Sequence, residues 1–420
     1  MGAAERYGIL VGGGPAPGIN SVIGAATIRS VLDGVDVLGI YDGFRTLMEG
    51  ERENVESLTI DKVSRLHFSG GSYLRTSRAN PTNDPASLDR VVETLHALEI
   101  TGLITIGGDD TAFSATKVAE RAAGRVRVVH VPKTIDNDIA LPPDCDTFGY
   151  QTARHVGVRV VKSLMVDAQT TSRWFFAVAM GRKAGHLALG IGKAAATTIT
   201  LIPEEFGDGQ VRLHSIIDTI AGSIIKRLAD GRPDGVAVVA EGVVLGLSEG
   251  ELAVLDGVER DDHGHVRLAE VDVGGILKTG VKARLAEFGI SPTIVAKNIG
   301  YELRCADPIP LDLEYTRDLG FCASRALSEG RNSVLITMQG GSFVPVPLSS
   351  LLDPETGRTG VRMVDTGSTR YKIARRYMIR LRDMDLKDAE KVSRLAGVCG
   401  VSVERFVAEF EHVALPPAEF

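Results

Sequence analysis

Short, largely β-branched runs alternate along the chain with longer segments of helical spacing, and most of the runs end in glycine or polar clusters. The runs occupy residues 7–13, 35–43, 102–110, 126–134, 174–182, 198–205, 235–242 and 333–341. These short β-branched runs read as buried parallel strands. Helical spacing fills 18–33, 85–98, 112–123, 152–168, 213–229, 274–288 and 316–329, often ended by a glycine such as Gly34, Gly124, Gly231, Gly289 or Gly330. The class is therefore α/β, and the carboxyl ends of the strands are where a ligand is expected.

A chain of 420 residues suggests two or three domains. A boundary is expected near residue 150, after DCDTFGYQTA, and the charge-rich stretch 361–420 reads as a C-terminal helical cap. With 44% hydrophobic and 24% charged residues and a mean hydropathy of +0.07, the composition is that of an ordinary globular protein. No apolar run approaches the roughly 20 residues of a membrane span, and the opening MGAAERYGILVGG lacks signal-peptide character. A cytoplasmic protein is expected. The net charge of −7 gives no general attraction to nucleic acid or anionic membrane, so an anionic ligand needs local cations. Cys145, Cys305, Cys322 and Cys399 are scattered without a CxxC pair, which argues for reduced, buried thiols rather than a zinc site or disulfides.

Four strand ends carry chemistry. GGGPAPGIN (12–20) precedes a helix, where backbone N–H groups suit an anion, although a tight turn would look the same. GGDD (107–110) offers Asp109 and Asp110 either to magnesium, which binds one or two carboxylates plus substrate phosphates, or to the cap of a helix starting near Ala112. PKTIDNDI (132–139) offers Lys133, Thr134, Asp136 and Asp138, and a carboxylate there is placed to deprotonate a hydroxyl. An acidic turn is the plainer reading; a calcium loop fails for want of its twelve-residue spacing and terminal Glu. MGRKAGH (180–186) again sets a glycine and a cation at a strand end. His263 and His265, in RDDHGHVR, lack a third ligand in sequence and are not read as a metal site.

Together, GGGPAPGIN, GGDDTAFSA, PKTIDND and MGRKAGHLAL, followed by AEG (240–242) and GYELR (300–304), resemble the phosphofructokinase family over roughly residues 7–340. That resemblance implies two Rossmann-like three-layer domains with mostly parallel sheets plus a helical C-terminal extension. Residues 1–150, completed by about 303–355, would bind donor and metal; 151–302 would bind the sugar phosphate; 361–420 would be the cap. Asp110 and Lys133 stand where ATP-using members usually have glycines, so the chain resembles the pyrophosphate-using branch. An Asp in the space of the ATP α-phosphate excludes it by bulk and charge, since like charges at 4 Å repel by about 4 kcal/mol at an effective dielectric near 20.

Carried over residue by residue, the resemblance makes Asp136 the base for the 1-hydroxyl of fructose 6-phosphate and gives Asp109, with Asp138 nearby, to Mg2+. Thr134 would hold the sugar and the transferring phosphoryl, and Gly13 and Gly14 would line the donor phosphates. Arg78 would bridge donor and acceptor, while Lys133 neutralises pyrophosphate. Met180, Gly181, Arg182 and Glu241 would contact the sugar, and Tyr301 with Arg304 its 6-phosphate. Arg173 resembles an arginine that reaches into a neighbouring subunit, implying a homodimer with shared sites. Tyr301 replaces a usual His, and the nearest preceding cation, Lys297, has no assigned counterpart. An ATP-dependent enzyme is disfavoured by Asp110 and Lys133, and a noncatalytic regulatory subunit by the joint presence of Asp109, Asp136 and Arg78.

Overall fold

A computed structural model describes residues 5–206, 213–247 and 271–416, apart from the side chains of 245 and 246; His263 and His265 lie outside these residues. In chain order the strands are β1 (Arg6–Val11), β2 (Asp36–Ile40), β3 (Val55–Ser57), β4 (Gly102–Gly107), β5 (Arg127–Thr134), β6 (Phe148–Gly149), β7 (Trp174–Ala179), β8 (Ile199–Leu201), β9 (Gly235–Ala240), β10 (Ile294–Ile299), β11 (Val334–Leu335), β12 (Met338–Gln339), β13 (Ser342–Phe343) and β14 (Val346–Pro347). Residue contacts divide the chain into unit 1, Met1–Ala153 with Tyr301–Arg362, and unit 2, Arg154–Gly300 with Met363–Phe420.

Unit 1 is built on a sheet of order β14-β11-β5-β4-β1-β2-β3, with β6 pairing β5. Its inner pairs are parallel and its edge strands β3 and β14 antiparallel. Side-chain alternation supplies both faces. Tyr7, Ile9, Val11, Ile104, Ile106, Val129 and Val131 join a core with helices Ile19–Leu32 and Pro310–Ser328. Leu10, Leu103 and Val128 join another with helices Pro85–Ala97 and Asp109–Ala122. A sheet with both faces covered has no polar side, which is why the middles of these strands are mostly apolar. From β1 the chain turns toward β2, whereas β4 leads on to β5 on the other side. The loops after β1 and β4 therefore diverge, leaving a crevice at the strands' carboxyl ends, where ligands of such sheets bind.

Unit 2 has a fully parallel sheet of order β10-β7-β9-β8. β10 is absent from the strands expected from sequence, and so is helix His186–Ala195. The C-terminal helices belong to this unit's core. Phe406 and Phe410 are fully buried with ring centroids 5.1 Å apart, and Phe410 also meets Phe288 at 5.6 Å; burial of one such ring is worth about 1.5–3 kcal/mol. No helix among the described residues is long and apolar enough to cross a membrane. All four cysteines are free, but Cys305 is exposed, contrary to the expectation of buried thiols, because it follows the short helix Tyr301–Arg304 at the surface of unit 1.

Candidate active site

Three loops of unit 1 converge at the carboxyl ends of β1, β4 and β5. Gly13 has φ +77°, a left-handed conformation in which an L side chain is strained. Its N–H donates to Ser77 O at 2.9 Å, and Thr76 Oγ1 donates to Gly13 O at 2.6 Å. This short cross-link brings the exposed Arg78 beside the glycine loop. After β4 the helix starts at Asp109, earlier than Ala112, with Gly108 as its N-cap, so Asp109 and Asp110 both occupy the first turn. Carboxylates there are favoured by the helix dipole. Asp109 is half-buried and Asp110 exposed.

Lys133, at the end of β5, is only 4% exposed, and its ammonium donates to Gly14 O. Burial lowers its pKa to about 8, assisted by repulsion from Arg304 and opposed by Asp136, Asp109 and Asp138. The same field thus joins one lysine, one arginine and three of the carboxylates expected at the site. A Cβ on Gly14 would lie 2.8 Å from Arg304 Nη2, so this guanidinium stands over the glycine loop. Its Cζ is 5.6 Å from the ring centroid of Tyr301, which is 78% exposed. Thr134 Oγ1 accepts the Asp136 N–H at 3.0 Å, tying the proposed sugar-binding hydroxyl to the acidic turn.

Two supporting groups were not singled out by sequence. His130 is fully buried below the GGDD turn, with Nε2 3.1 Å from Gly107 O and Nδ1 2.8 Å from Thr105 Oγ1. Burial drives its pKa down to about 3, so the ring is neutral at physiological pH. A carbonyl only accepts; the single proton therefore sits on Nε2 and holds the Gly107 carbonyl. Arg362 donates to the backbone of Asn137 and Cys145 around the acidic turn.

In unit 2, Met180, Gly181, Arg182 and Glu241 meet at the carboxyl ends of β7 and β9. Gly181 has φ +132°; its N–H points to Glu241 Oε1 at 3.4 Å, and its carbonyl accepts from Gly242 N at 3.2 Å. Glu204, also not singled out, accepts from Gly185 N at 2.9 Å and closes the same loop from β8. Arg173 precedes β7 and so lies at the other end of that strand, about 23 Å from Met180 at 3.3 Å per residue. Its Nε is 3.9 Å from Asp167 Oδ1, beyond hydrogen-bond reach. Within unit 2, Arg173 is thus separated from the cluster of Met180, Gly181, Arg182 and Glu241. Lys297 is exposed on β10.

A family model described as phosphofructokinase matches residues 6–327. The pyrophosphate–fructose 6-phosphate 1-phosphotransferase of Thermotoga maritima is 51% identical over 419 residues, covering 99% of this chain and 100% of its own. An ATP-dependent 6-phosphofructokinase of Mycobacterium bovis is 34% identical over 356 residues, covering 82% of this chain and 93% of its own. The crystal structure of a pyrophosphate-dependent phosphofructokinase from Nitrosospira multiformis shares the fold, with a TM-score of 0.67 at 18% identity, covering 89% of this chain and 91% of its own.

Proposed function

The chain belongs to the phosphofructokinase family, and on that premise we propose that it catalyses the magnesium-dependent, reversible transfer of a phosphoryl group from pyrophosphate to the 1-hydroxyl of D-fructose 6-phosphate. The products are fructose 1,6-bisphosphate and phosphate. The observation that carries this reading is the 51% identity, over nearly the whole chain, to an enzyme named for that reaction. The buried Lys133, whose ammonium donates to Gly14 O, and the exposed Asp110 in the helix turn after β4 supply its local chemistry.

Asp136 takes the proton of the 1-hydroxyl as its oxygen bonds to the terminal phosphorus of pyrophosphate and the bridging P–O bond breaks. Lys133 neutralises the departing phosphate, Arg78 offsets charge spreading over the transferred group, and Gly13 and Gly14 present backbone to the donor. Asp109 and Asp138, which both act on the Lys133 ammonium, would hold magnesium, an ion that needs only one or two carboxylates when phosphates and waters complete its shell. When bound, it screens the phosphate charge. Met180, Gly181, Arg182 and Glu241 bind the sugar, and Tyr301 and Arg304 its 6-phosphate. The setting is the cytoplasm, which suits four unpaired cysteines.

The direct test compares pyrophosphate with ATP as donor for the purified chain, following fructose 1,6-bisphosphate with magnesium present. Pyrophosphate should give by far the higher kcat/KM. Equal values would sink the reading, and no turnover with either donor would mark a noncatalytic subunit.

Lys133 adds a pH signature. Its pKa of about 8 means that the cation is present below pH 8 and lost above it. The kcat/KM for pyrophosphate, which reports the free enzyme, should fall as pH rises through about 8. The limb should be absent from Lys133→Arg, and its persistence there would assign it to another group.

Arg173, remote from the sugar-contact set in its own unit, is proposed to complete the sugar-phosphate site of a neighbouring chain in a homodimer. Asp136→Ala and Arg173→Ala should each be nearly inactive. After the two are unfolded and refolded together, half of the dimers are hybrids, each with one intact site, so about one quarter of wild-type activity should return. If both residues serve one chain's own site, no mixture rises above its parents.

A further inference from the structure

We propose that Arg362 is a positioning residue for the acidic turn Asp136–Asp138, acting through the peptide groups around Asn137; the proposal rests on the reading of Asp136 as the base. Asn137 has φ +57°, a left-handed conformation that asparagine tolerates better than most side chains, and hydrogen bonds from its neighbours fix it there. Asp136 and Asp138 flank this residue, and its conformation sets the directions in which their carboxylates leave the chain.

One long-range side chain shares this holding with local partners. Arg362 Nε and Nη2 donate to Asn137 O at 3.2 and 3.1 Å, Nη2 also reaches Asn137 Oδ1, and Nη1 donates to Cys145 O at 2.7 Å. The Arg362 N–H donates to Asp138 O at 2.8 Å, and Val361 bridges Ile139 in antiparallel register. The remaining hydrogen bonds of Asn137 are local: its Nδ2 donates to Asp146 Oδ1 at 2.8 Å, and its Oδ1 accepts from Thr147 N at 3.0 Å and from Thr147 Oγ1 at 3.3 Å. Arg362 thus grips the turn at two consecutive carbonyls, one with its guanidinium and one with its backbone. A guanidinium presents several fixed donors in one plane, whereas an ammonium is a point charge that cannot span Asn137 and Cys145 together.

Misplacing a catalytic group by about 1 Å costs on the order of 10²-fold. Arg362→Ala and Arg362→Lys should therefore lower kcat by about 10- to 100-fold, with the KM for pyrophosphate within about threefold of wild type. Each variant is made in the wild-type and Asp136→Ala backgrounds, with thermal unfolding measured alongside. If Arg362 acts through Asp136, its loss is expected to shrink to less than threefold once the carboxylate is gone, because coupled residues are non-additive. Should Arg362→Ala fail to fold, Arg362→Lys decides on the same criteria. A lysine variant with wild-type kcat overturns the proposal, as does a loss that multiplies fully with that of Asp136→Ala. If Asp136→Ala alone costs less than tenfold, the base assignment falls; if it is crippled while Arg362→Lys is unimpaired, only the positioning role falls.

Discussion

Replacing Asp136 by alanine is expected to lower kcat by about 10² to 10⁴, the range for losing a positioned general base, with a smaller change in the KM for fructose 6-phosphate. The substitution removes a half-buried carboxylate but leaves the turn anchored, since the Asp136 amide still donates to Thr134 Oγ1 and Arg362 still holds Asn137. Asp136→Asn keeps shape and hydrogen bonding without basicity, so it should fall as far. There is also an electrostatic signature. Asp136 is among the carboxylates that raise the pKa of Lys133 against its burial, so losing it should shift the alkaline limb for pyrophosphate to lower pH. A loss below tenfold in a folded variant would mean that another group accepts the proton.

Many of the candidate residues in each unit were legible because their clusters lie at the ends of the most apolar strands. β4, β7 and β9 are buried at every position, and the glycine and acidic clusters that follow them stand out against those runs. β10 was hidden by its place at a sheet edge, where Lys297 and Asn298 are exposed and interrupt the apolar pattern. Helix His186–Ala195 was obscured by glycines; Gly192 is needed there because a Cβ would meet Thr200 Oγ1 at 1.9 Å, a packing constraint that sequence spacing does not carry. His130 sits inside a strand that reads as apolar, and its hydrogen bonds to the turn follow only from strand register. Arg362 is 225 positions from Asn137, and a contact of that range has no local signal.

Asp110→Gly should change the donor rather than the chemistry. On the family resemblance, the Asp110 carboxylate occupies the place of the ATP α-phosphate, and two like charges at about 4 Å repel by about 4 kcal/mol at an effective dielectric near 20. At 1.4 kcal/mol per tenfold, removing that repulsion bounds the gain in kcat/KM for ATP at about 10³. Asp110 is exposed, so solvent screens part of the repulsion and a gain of about 10- to 10³-fold is expected. Pyrophosphate use should fall several-fold for a separate reason. Asp110 lies in the first turn of helix Asp109–Ala122, where glycine loses a few tenths of a kcal/mol of helix propensity and removes a charge favoured by the dipole by about 0.3–1 kcal/mol. The loosened turn carries Asp109, the proposed magnesium ligand. Lys133, at the end of β5, remains in place to serve the shorter donor, so the variant should use both donors instead of exchanging one for the other. Measuring kcat/KM for each donor in the two proteins tests this: an ATP value within threefold of wild type, in a variant that still turns over pyrophosphate, would place the exclusion of ATP elsewhere than at Asp110.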